Sequence, residues 1–145
     1  MKLSEDNKEI FLINLTESLV EHASATANLI QRGETDRMIV YPPNGGFTSE
    51  EVDELRKLNV NEPLKEALRK ILASNTAEVI FSLLNMIDGT SDPHLASGNW
   101  TEVMLVDFEE ETDTEMLHDD FFSSYWDWRE KTKNKKWKLD LLNDE

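Results

Sequence analysis

Between Ala77 and Ile87 the chain reads AEVIFSLLNMI, in which only Glu78, Ser82 and Asn85 are polar. A helix that is hydrophobic nearly all round has to be surrounded by other elements, so this stretch predicts a central buried helix. It is too short to cross a bilayer, which takes about 20 uninterrupted apolar residues. The longer run from Asn61 to Asp88 contains it. Asn61 can cap a helix there, with Pro63 tolerated in the first turn. Ser74-Asn75-Thr76 followed by Glu78 has the spacing of a second cap, and a break or kink near Ser74 is expected.

Leu3 to Arg32 reads as one long helix. Ser4 is placed to cap it, Glu5 and Asp6 fall in its first turn, and Gly33 stands just past its end. Leu12, Leu15, Leu19, Ala23, Thr26 and Ile30 recur at spacings of three and four, which puts one stripe against a core. His22 lies beside that stripe. Thr48 with Glu51 has capping-box spacing and predicts a short helix from Ser49 to Leu58.

Two segments read as strands. Arg37 to Tyr41, RMIVY, is β-branched and stopped by Pro42-Pro43, after which Asn44-Gly45-Gly46 turns the chain. Trp100 to Phe108, WTEVMLVDF, is apolar on both faces and is expected to pair with it. A last helix is expected from Asp113 to about Lys131. The fold class that follows is α+β and helix-dominated, with a long N-terminal helix, a central buried helix, a C-terminal helix and a small two-stranded antiparallel β element. Leu15, Leu19, Leu68, Ile71, Val79, Phe81, Leu83, Met86 and Phe121 are the expected core.

A chain of 145 residues fits one domain, assigned here to 1–132, followed by a charged tail at 133–145 that is expected to be partly ordered. It has no cysteine, which removes disulfides, thiolate metal sites and a cysteine nucleophile together. The N-terminal MKLSEDNKEIFLINL carries acids where an export signal carries positive charge, so no export signal and no membrane anchor are expected, and the expected location is cytoplasmic.

The formal charge is -15, from 30 acids against 15 bases. Such a surface repels phosphates, and although Arg129 to Lys138 concentrates bases around Trp137, the adjoining acids balance them; nucleic acid is not expected as a partner. A basic protein is the better fit. The acidic block from Asp107 to Asp120 can attract one, with Glu110, Glu111 and Asp113 as steering charges. On a helix Leu117, Phe121, Tyr125 and Trp128 form one stripe, expected in the core. Phe122 and Trp126 fall on the next, where they can anchor a partner.

The leading expectation is therefore a small acidic protein-binding module, of the immunity or antitoxin kind that masks a basic partner. The competing one is a metal-dependent or small-molecule-processing enzyme. It would use Glu78, on the polar line Asn75, Glu78, Ser82 and Asn85, together with His118 and Asp119. Glu115 with His118 or Asp119 has helical spacing suited to a metal, and His22 could add a further ligand. The block lacks the ligand spacing and glycine of a calcium loop, and the chain has no phosphate-binding glycine loop, HExxH or GxSxG. No cofactor is expected.

Overall fold

The computed structural model describes residues 3–34, 38–93, 99–101, 103–107, 124–131, 133 and 140–142, with the side chains of Ser124 and Trp128 left aside. Four helices occur among them: α1 (Glu5–Arg32), α2 (Ser49–Arg56), α3 (Glu62–Ile87) and α4 (Ser124–Lys131). The chain divides into two units, Met1–Ala27 with Glu66–Thr112, and Asn28–Lys65 with Asp113–Glu145.

Helix ends follow local hydrogen-bonding chemistry. At the start of α1 the Ser4 hydroxyl accepts from the Asn7 amide at 3.4 Å. At its end Gly33 takes φ 70°, and the amides of Gly33 and Glu34 donate to the carbonyls of Ile30 and Leu29. That is the Schellman closure, which needs a residue free to adopt positive φ. Gly89 closes α3 in the same way, with Thr90 donating to the Asn85 carbonyl at 2.9 Å. Asn61 begins α3, its side-chain oxygen accepting from the Leu64 amide at 3.0 Å.

The expected break near Ser74 is absent, and α3 runs unbroken for 26 residues, about 39 Å. The Thr76 hydroxyl donates back to the Leu72 carbonyl at 2.9 Å, and so joins the helix it could have ended.

In the first unit α1 packs on α3 through Leu12, Leu15, Thr16 and Leu19 against Ala77, Ile80, Phe81 and Leu84. Only one stripe of α3 is covered in this way. The expectation of a buried central helix is therefore corrected, since α3 has no fully buried residue. Ile71, Val79, Phe81 and Leu83 are 63%, 64%, 66% and 50% exposed. Leu15, Leu19, Leu68 and Met86 are half-buried, and Phe121 lies outside the described residues. Composition demanded a helix covered on all sides, whereas among the described residues α1 covers one stripe of it.

The two-stranded β element is corrected as well, because no strand occurs among the described residues. Met38–Tyr41 runs into Pro42 and Pro43, which have no amide to donate to a ladder. Residues 103–107 hold no strand, Val106 making only an isolated bridge, and Leu105, Val106 and Asp107 line a cleft with Leu3, Asn7, Ile10, Phe11 and Asn14. The anchor is Asp107, whose carboxylate accepts from the Asn7 side-chain amide at 2.8 Å and from the Ser4 amide at 3.3 Å. A carboxylate there also meets the positive end of the helix dipole.

The hydrogen bond from Asn7, then those from Ser4, hold the Asp107 carboxyl below the usual aspartate range. A depressed carboxylate stabilises its contacts fully above its unfolded pKa of about 3.9 and loses that effect as pH falls through the folded value. Protection of the Asn7 and Lys8 amides, relative to their intrinsic exchange rates, is therefore expected to hold at pH 5 and to fall below about pH 4. In Asp107→Asn that step should vanish, and a step that persists would assign it to another group.

Candidate functional site

α2 is a short helix in the second unit, set by a complete capping box. The Thr48 hydroxyl accepts from the Glu51 amide at 3.3 Å, and the Glu51 carboxylate accepts from the Thr48 amide at 2.7 Å. The cap fixes which way the helix faces. Phe47, Glu51, Glu54 and Leu58 recur at four, three and four, and so share a face, with Glu50 and Leu55 at its edges. These six residues line a groove along α2.

Its floor is apolar and its rim is acidic. Phe47 and Leu55 are half-buried, Leu58 is 51% exposed, and Glu50, Glu51 and Glu54 are exposed. Lys57 pairs with Glu54 at 2.5 Å, while Glu50 makes no ion pair among the described residues. An apolar floor gains free energy when water leaves it, and carboxylates at the rim favour a cationic visitor. Among the described residues, the six that line the groove include no histidine and no hydroxyl side chain.

Elsewhere in the same unit a buried polar network orders α4. Asp140 is 4% exposed. Its carboxylate accepts from the Tyr125 hydroxyl at 2.6 Å, from Arg129 Nε at 3.1 Å and from the Leu142 amide at 3.1 Å. Burial works to raise the Asp140 pKa, but these donors and the Arg129 charge outweigh it and hold the carboxyl below its ordinary value. Tyr125, at 2% exposed, meets the Tyr41 ring edge-on with centroids 5.7 Å apart. Burial, and secondarily Tyr125, push the Tyr41 hydroxyl above its usual pKa.

Of the residues singled out from sequence for partner binding, Trp126 is described. It is half-buried and stands edge-on to Tyr125 at 5.0 Å. Glu110, Glu111, Asp113 and Phe122 lie outside the described residues, as do Glu115, His118 and Asp119 of the metal reading. Glu78 is exposed on α3 and His22 is exposed on α1. No group of three or more metal-ligating side chains assembles among the described residues. The polar line of α3 is a solvent edge at Asn75, Glu78 and Ser82, whereas Asn85 is half-buried.

The α2 groove escaped sequence reasoning because its apolar residues are interleaved with acids. A usable signal was present in the spacing that runs from Phe47 through the cap to Leu58. No helix among the described residues is long and apolar enough to cross a membrane. No family model, no curated protein and no solved structure matches the chain.

Proposed function

We propose that this protein is a protein-binding module whose α2 groove receives a basic amphipathic segment of a partner protein. The observation that carries the reading is the groove itself, where the half-exposed Leu58, the Phe47 ring and the Leu55 methyls are edged by Glu50, Glu51 and Glu54. In a chain of charge -15 that edge belongs to a field that attracts cations from a distance. Masking a basic surface, as an immunity or antitoxin protein does, is a role suited to this pairing of floor and rim. The acidic run containing Glu110, Glu111 and Asp113 adds to the same attraction, and Trp126 offers a second aromatic anchor.

The test is capture from the cells that make the protein, at low and at moderate salt, followed by kinetics with the captured protein. Leu58→Ala is expected to weaken binding about tenfold, mainly through faster dissociation. Glu50→Lys is expected to slow association and to flatten its salt dependence, because it changes the rim without touching the floor. No capture of a basic protein at either salt concentration would overturn the proposal, as would a captured protein indifferent to both substitutions.

A further inference from the structure

α3 carries a second, largely apolar stripe, set apart from the residues that line the cleft with α1. Leu72, Thr76, Val79, Leu83 and Met86 recur at four, three, four and three, the spacing at which one helix presents a seam to another. None of the five lines the cleft with α1. Val79 and Leu83 are 64% and 50% exposed, Thr76 is exposed, and Ile71 at the margin is 63% exposed. Apolar surface gathered on one face marks an interaction site.

We infer that a second copy of this chain covers this face, seam against seam. Charge selects that occupant. From Ile71 to Ile87 the sequence has a single charged residue, Glu78, although 31% of the whole chain is charged. A basic partner would find nothing to pair with along such a seam. Two copies each carrying -15 repel one another, and they can meet only through a face from which charge has been left out. Depletion of charge at the centre is also how subunit interfaces differ from ordinary surface.

Area sets the strength. Each aliphatic side chain presents on the order of 100 Å² of apolar surface. Ile71, Val79 and Leu83, at their exposures, offer roughly 180 Å² per copy, and the partly exposed Leu72 and Met86 raise this to about 250 Å². A standard interface of about 800 Å² per partner contains roughly 450 Å² of nonpolar surface. The seam supplies about half of that, which places the pair among small, reversible interfaces.

Sedimentation of the full chain at about 1 to 200 µM tests this. The expected result is a shift from 16.8 kDa to twice that mass with concentration. Added salt should strengthen the pair, since screening relieves the repulsion between two acidic chains. A basic partner in the α2 groove would respond in the opposite sense, so the two ideas fail separately. Val79→Glu places a charge at a position already open to water in the single chain, and it should leave the helical circular dichroism intact while reducing the dimer at least tenfold.

A second route does not depend on that variant folding. Because the native chain has no cysteine, single cysteines at Thr76, Val79 and Leu83 can be oxidised one at a time. A seam crossing its own two-fold axis should give a disulfide-linked dimer from at least one of them. A chain that stays at 16.8 kDa throughout, an assembly larger than two copies, a dimer weakened by salt, or Val79→Glu that unfolds while no cysteine cross-links would each overturn the inference.

Discussion

Replacing Asp140 by alanine is expected to cost about 3 kcal/mol of stability, because it removes the acceptor for three donors at once and leaves Arg129 beside a buried void. The Arg129 side chain is 14% exposed, so water cannot freely replace the lost carboxylate. Equilibrium urea unfolding measures the loss, and amide exchange at Leu142 localises it to this network. Tyr125→Phe removes the bond its hydroxyl donates to the Asp140 carboxylate and the one it accepts from the Asp140 amide, and should cost about 1.5–3 kcal/mol.

The pH dependence follows from the direction of the shift. With its folded pKa depressed, Asp140 contributes stability that is complete above about pH 3.9 and is lost as pH falls through its lower folded value. Asp140→Asn should therefore be less stable than the parent at pH 7, with the gap narrowing below about pH 4. A loss under about 1 kcal/mol at pH 7, or a gap that widens in acid, would mean that the carboxylate is solvated.

What the sequence made legible was chemistry confined to a few neighbouring residues. Ser4, Thr48 with Glu51, Asn61 and Gly33 bound the helices because each satisfies backbone groups within about one turn of itself. Ser74 to Thr76 misled for the same local reason, since a hydroxyl that can cap a helix can equally return its bond to the preceding turn.

The covering of α3 was not legible, because hydrophobicity states what a helix needs and not how many elements stand ready to supply it. Nor was the docking of residues 103–107. A segment apolar on both faces can add to a sheet or lie along a helix, and Asp107 decides between them through Ser4 and Asn7, about 100 positions away. Asp140 sits in a tail charged with both signs, where nothing local separates a buried carboxylate from a solvated one. The α2 groove was half legible, in that the capping box placed the helix but gave no reason to look at its far face.

Gly45→Ala is expected to be the other damaging single change, at about 2–3 kcal/mol, while Gly46→Ala next to it should cost less than about 1 kcal/mol. Pro42 to Gly45 forms a turn in which Pro43 takes the second position, Asn44 takes φ 64°, and the Gly45 amide donates to the Pro42 carbonyl at 2.8 Å. This is the pattern of a type II turn. A Cβ on Gly45 would stand 2.8 Å from that carbonyl oxygen, 3.0 Å from Ile39 Cγ2 and 3.1 Å from Pro42 Cδ. Pro42 is fully buried and cannot give way, so the backbone has to move. Gly45 also bridges Asp140, and the movement reaches the carboxylate network directly. Among the described residues a Cβ on Gly46 would meet only Leu141, a 47% exposed side chain whose end can rotate aside. Urea unfolding of the two variants side by side separates close contact from the general stiffening any alanine brings. Equal losses at the two positions would show that the fit of Gly45 against Pro42 does not set the stability of the turn.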